Sequence, residues 1–159
     1  MPQDNIKKIT KPNELLIPHI VEMINEGHTV TLGLKGRSMR PFLEDGRDKA
    51  LLEKADEVSV GDAVLALIAG RNYVLHRIVA IDGDNITLRG DGNLNVEHCK
   101  RKDIHGKAIA FYRKGRTRPD RTDGRKWRIY SAVWTRLLPV RRYLLFAYRM
   151  SLKMRGTAK

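Results

Sequence analysis

The chain has 159 residues, 42% of them hydrophobic, enough for the packed core of one domain and too many for a wholly disordered protein. The single cysteine, Cys99, excludes an internal disulfide framework, and no apolar run approaches the ~20 residues needed to span a bilayer. The formal net charge of +13 is unevenly placed: residues 113–159 hold 15 Lys and Arg against two acids, whereas 16 bases and 16 acids cancel in residues 1–112. A neutral body with a basic extension follows, and such an extension attracts phosphates without bearing on chemistry in the body.

Residues 1–12 are polar, with Pro2 and Pro12 and no apolar signal-peptide core, so a cytoplasmic protein or one peripheral to a membrane is expected. Asn13 is the expected N-cap of a helix over 14–26, whose Leu16, Ile20, Met23 and Ile24 share one face; Pro18 disturbs its first turn and Gly27 ends it. From His28 to Lys35 the alternation of Val30, Leu32 and Leu34 predicts a half-buried strand that delivers the chain to Ser38. Short strands follow at 50–52, 63–68, 73–81, 86–88 and 104–112. Ala69–Asn72 and Asp82–Asn85 read as hairpin turns, and 90–102 as a polar loop. One early helix and successive short strands predict a compact, mainly β body over residues 1–112.

Residues 113–126 read as a basic, mobile linker. Residues 127–159 regain helical periodicity, with Ile129, Val133 and Leu137 spaced i, i+4, i+8 and Tyr130, Trp134 and Leu138 beside them. Pro139 breaks the pattern and starts a second helix bearing Tyr143, Leu144, Phe146, Ala147 and Tyr148 among arginines. This segment either packs on the body as a helical hairpin or lies in a membrane interface with Trp127, Trp134, Tyr143 and Tyr148 at headgroup level.

Three sites in the body carry potential chemistry. A serine hydroxyl needs a neighbouring base to accept its proton during attack on a carbonyl, and a histidine titrates in the right range. A carboxylate on the second ring nitrogen fixes the tautomer and stabilises the imidazolium. Ser38, His76 and Asp91 offer those roles, each near a strand end or turn. Gly36 permits close backbone approach, so that N–H groups around Gly36, Arg37 and Ser38 can serve as an oxyanion hole. Taken alone, each residue also has a plainer reading: a turn serine, a buried strand histidine and a solvated loop carboxylate.

The local sequences add to this. Gly36-Arg37-Ser38-Met39-Arg40-Pro41, with Asp45-Gly46-Arg47-Asp48 after it, resembles the nucleophile motif of type I signal peptidases and LexA-type self-cleaving repressors, where Gly-x-Ser-Met-x-Pro precedes Gly-Asp. The segment from Val74 to Ile81 resembles the family's second block, Leu88–Asn93 its third, and His105–Phe111 the strand after it. The resemblance implies the LexA/signal-peptidase-like β fold, Ser38 as nucleophile and His76 as general base, as in the branch that uses histidine where others use lysine. Asp91 matches the third block's acid, but the histidine branch has another acid about six positions later, where this chain has Glu97; Asp91 ranks slightly ahead. The resemblance also implies cleavage after a small residue, a substrate laid as an added strand near Met39 and Pro41, and no metal or cofactor. Position 37 is Arg, and Gly46-Arg47-Asp48 stands where Gly-Asp is expected, which bears on substrate preference. Ala69-Gly70 is similar to the self-cleavage dipeptide of the repressors, although a hairpin turn accounts for it.

Two functions follow. The first is a serine endopeptidase acting on a leader or precursor peptide. The second is a non-catalytic protein on the same fold that uses its basic tail to hold a membrane surface or nucleic acid. The retained Ser-His pair favours the first. The absence of a recognisable reader module argues against specific nucleic-acid binding.

Overall fold

The computed structural model describes residues 13–34, 39–43 and 48–156. Helix α1 (Asn13–Asn25) precedes seven consecutive strands: β1 (Val30–Gly33), β2 (Lys49–Glu53), β3 (Ala63–Ile68), β4 (Asn72–Asp82), β5 (Asn85–Arg89), β6 (Glu97–Lys100) and β7 (Ile104–Tyr112). A two-residue strand β8 (Asp120–Arg121) leads to α2 (Arg125–Arg136) and α3 (Arg141–Met154). The main sheet runs β1-β2-β7-β3-β4-β5-β6, and every neighbouring pair is antiparallel. The mainly β body with an N-terminal helix and a helical, basic C-terminal extension is thus present as expected.

Register irregularities at Leu51/Leu52, Leu65/Ala66 and Ile78/Ala80 bend the sheet, as extra residues in one strand of a pair do. It curls far enough that β6 touches β3. The curl divides the core in two. On one face Ile20, Val21 and Ile24 of α1 meet Leu32, Leu52, Leu65 and Phe111, together with Met39, Phe42 and Leu43. Gly106 of β7 lets α1 come close: a Cβ there would stand 3.2 Å from Ile24 Cδ1. Inside the curl, Val64, Ala66, Ile78, Ile86 and Leu88 form a second cluster. The β3–β4 hairpin turns through Ala69 and Gly70, both at positive φ (52° and 66°), as a tight turn matched to strand twist requires. That conformation is the structural use of the Ala-Gly pair.

Residues 113–126, expected to be a mobile linker, are stitched to the sheet. Strand β8 pairs with β7, Thr122 N–H donates to the Ile109 carbonyl at 3.0 Å, and Asp120 accepts from Lys126 Nζ at 2.8 Å. Helix α2 then enters the first core cluster through Trp127. Its inward face is aromatic: Trp127 and Trp134 are buried and Tyr130 is half-buried, whereas Ile129 and Val133 of the expected apolar stripe point outward. Large aromatic surfaces outweigh smaller aliphatic ones, and the Tyr O–H and Trp N–H find partners inside. Neither tryptophan is therefore available at headgroup level.

Candidate active site

His76 lies in β4, with its neighbours' side chains alternating between the two faces of the sheet. Ile78 is opposite Leu88 of β5, and Leu88 is opposite Glu97, the first residue of β6. These three share the inner face of the curl, and His76, two residues before Ile78, shares it too. The register brings Glu97 across β5 to the imidazole: His76 Nδ1 stands 2.7 Å from Glu97 Oε2. Both atoms are buried, and neither has a hydrogen-bond partner of good geometry among the described residues, so the contact is one of charge and proximity rather than an aligned hydrogen bond. The His76 side chain is 5% exposed, whereas the Glu97 side chain is 38% exposed, with one oxygen inward.

Burial disfavours the imidazolium and holds the His76 pKa below its ordinary 6.5. The negative charge of Glu97, so close to the ring, opposes this without overcoming it, and Asp91 adds a smaller push in the same direction. At neutral pH His76 is thus a neutral imidazole with a carboxylate beside Nδ1.

The ranking of Asp91 over Glu97 does not match the geometry around the ring. Asp91, 1% exposed, faces Arg77 on the opposite side of β4. Arg77 Nε and Nη2 donate to the two Asp91 oxygens at 2.8 Å each, a bidentate pair. Helix α2 closes over it. Tyr130 O–H donates to Asp91 Oδ2 at 2.9 Å and Trp134 Nε1–H to the Asp91 carbonyl at 2.9 Å. Arg77 Nη1 donates to the Gly61 carbonyl at 3.1 Å and to Ser131 Oγ, and the guanidinium lies 4.4 Å from the Trp127 ring centroid. Every charge is matched, as a buried ion pair requires. Burial, then the neighbouring Asp91 charge, pushes the Tyr130 hydroxyl far above its ordinary pKa of 10.0, so it remains a donor.

Gly36, Arg37 and Ser38 lie outside the described residues, as do Asp45 and Gly46. Strand β1 delivers the chain toward them, and β1 is the terminal strand of the sheet order, paired with β2. Met39, expected beside the substrate, is 5% exposed within the first core cluster; Pro41 is partly exposed. Asp48 is buried and accepts from the Lys114 N–H at 3.2 Å, 66 residues away.

Two features eluded the sequence reading. Strand β6 fell inside the expected polar loop 90–102; Glu97-His98-Cys99-Lys100 carries one weakly apolar residue and no strand alternation. Its only cue was that β5 needed a partner on its open edge. Arg77 was visible as part of a motif, yet nothing local told that it would be buried against Asp91 and α2.

The family comparison places the chain in the LexA and signal-peptidase superfamily, and the mainly antiparallel, curled sheet with its N-terminal helix is consistent with that fold. More narrowly, the chain belongs to the Peptidase S24-like family, whose model matches residues 2–109. No curated protein matches the chain. The family match ends within β7, so α2, which grips Asp91, lies beyond it.

Proposed function

We propose that the protein is a serine endopeptidase that cleaves a leader or precursor peptide after a small residue. Ser38 is the nucleophile, His76 the general base and Glu97 the carboxylate that orients the base. The observation that carries this reading is the 2.7 Å approach of His76 Nδ1 to Glu97 on a neutral, buried ring.

With its proton held on Nδ1 by Glu97, the ring presents Nε2 as the acceptor. Ser38 Oγ attacks the scissile carbonyl carbon while its proton passes to Nε2, and Glu97 stabilises the imidazolium. Backbone N–H groups of Gly36–Ser38 receive the oxyanion. The C–N bond then breaks, and the leaving amine takes the proton from Nε2. A water that gives its proton to Nε2 attacks the acyl-serine, and Ser38 regains that proton as the peptide acid leaves. Strand β1 ends just before the nucleophile segment, and its outer edge suits a substrate bound as an added strand: backbone pairing supplies affinity and shallow pockets supply selectivity.

Turnover of a reporter peptide with small residues before the scissile bond tests the reading. Ser38→Ala abolishes cleavage and leaves the thermal melt close to wild type; His76→Gln also abolishes cleavage, with some loss of stability because the ring is buried. Full activity in the Ser38→Ala protein would overturn it.

A further inference from the structure

Helix α3 has two apolar faces, and only one of them is used. Its inner stripe is Arg141, Leu145, Tyr148 and Leu152, at spacing i, i+4, i+7, i+11, and these residues are buried or half-buried. Arg141 turns inward to donate to the Trp134 carbonyl at 2.8 Å, which ties α3 to α2. On the opposite side Tyr143, Phe146, Met150 and Met154 repeat at i, i+3, i+7, i+11. They are 59%, 64%, 42% and 84% exposed, an outward stripe without a charged residue, and the flanking Arg142 donates to the Tyr143 hydroxyl at 2.6 Å. Leu138 and Val140, in the turn before α3, are exposed as well.

The charge around this stripe has one sign. No Asp or Glu follows Asp123, and residues 125–156 carry nine Lys and Arg. Arg142, Arg149 and Lys153, at i, i+7, i+11, line one flank of the stripe at 3.6 residues per turn. We infer that the outward face of α3 docks in the plane of an anionic membrane surface, with Tyr143, Phe146, Met150 and Met154 entering the headgroup–acyl boundary and the flanking cations meeting lipid phosphates.

Charge selects this occupant. A second copy of the chain would bring one acid-free surface against another. Nucleic acid would put phosphates on the apolar centre of the stripe, where no cation stands. A helix with an apolar face bordered by Lys and Arg suits an anionic interface, and a tyrosine belongs at headgroup level. Helix α3 has 14 residues, about 21 Å in length at ~1.5 Å per residue, and no helix among the described residues is long and apolar enough to cross a membrane. The geometry is that of a helix lying on the surface. Deleting the C-terminal segment is a poor test because Trp127 belongs to the body's core. Exposed residues of α3 can be changed without touching that core.

The test is flotation of the full-length protein with vesicles of phosphatidylcholine alone and of phosphatidylcholine with phosphatidylserine in equal parts. Wild type floats with the second and not the first. Phe146→Asp with Met150→Asp lowers bound protein at least tenfold, with unchanged circular dichroism and unchanged cleavage of a soluble peptide. Arg142→Glu with Arg149→Glu weakens binding to the anionic vesicles and abolishes it at high salt. The inference is overturned if wild type floats with neither vesicle, if the Phe146/Met150 variant floats like wild type, or if that variant's only effect is to dissociate a dimer in sedimentation velocity. Retention on duplex DNA without flotation overturns it too.

Discussion

Glu97 and Asp91 are both acids near His76, and neutralising each without changing its shape separates their roles. In Glu97→Gln the carboxylate 2.7 Å from His76 Nδ1 is lost. A neutral amide no longer stabilises the imidazolium and can favour the wrong tautomer. In serine hydrolases the corresponding change costs up to ~10⁴-fold in kcat, so a fall of ~10²–10⁴ is expected here. Stability should barely respond: Glu97 is 38% exposed, water screens the pair, and the loss is about 1 kcal/mol or less. Asp91→Asn is the converse. Arg77 and Asp91 are each 1% exposed, and removing the carboxylate charge leaves a buried guanidinium uncompensated. That costs roughly 3–5 kcal/mol. At ~2–4 °C per kcal/mol for a chain of this size, the melting temperature falls by roughly 10 °C. The assay pairs peptide turnover at a temperature where all proteins remain folded with a thermal melt. If Asp91→Asn is inactive while fully folded and Glu97→Gln turns over like wild type, the assignment of Glu97 is refuted.

The pH dependence follows from the depressed pKa of His76. The acidic limb of kcat/KM lies below pH 6.5 in wild type, and Glu97→Gln moves it to still lower pH because a charge that favours the imidazolium is gone; a move to higher pH would contradict the electrostatics. The unfolded chain binds that proton more readily, so the histidine's contribution to stability is intact above pH 6.5 and is lost as pH falls toward the folded-state value; melts in His76→Gln across that window show a shallower acid slope. Trp127→Ala removes a buried ring that meets Phe42 at 5.2 Å, Phe111 at 4.9 Å and the Arg77 guanidinium at 4.4 Å between centres. It should cost about 3–5 kcal/mol in a denaturant melt; a loss under 1 kcal/mol would show that α2 is peripheral to the fold.

Much of the body was legible because its cues are local. The strands 63–68 and 104–112 occupy the expected residues, and the hairpin at Ala69–Asn72 turns where small and polar residues predicted it. Alternation and turn chemistry act over a few residues, so sequence reports them directly. Strand β6 was illegible for the converse reason: a four-residue polar strand exists because β5 offers it an edge, not because of its own composition. The outward turn of Ile129 and Val133 is similar, since periodicity shows that α2 has faces but not which face meets a partner.

By itself the sequence determined that a neutral, mainly β body carries a Ser38 motif and a His76 strand, and that the excess positive charge lies beyond residue 112. Motif spacing and charge position are properties of the chain as written. Tertiary structure alone decided which acid lies beside which basic side chain. His76 and Arg77 are adjacent in β4, so the pleat sends them to opposite faces, one toward Glu97 and the other toward Asp91. A separation of 14 residues from Arg77 to Asp91 and 21 from His76 to Glu97 says nothing of that choice; curl and register do.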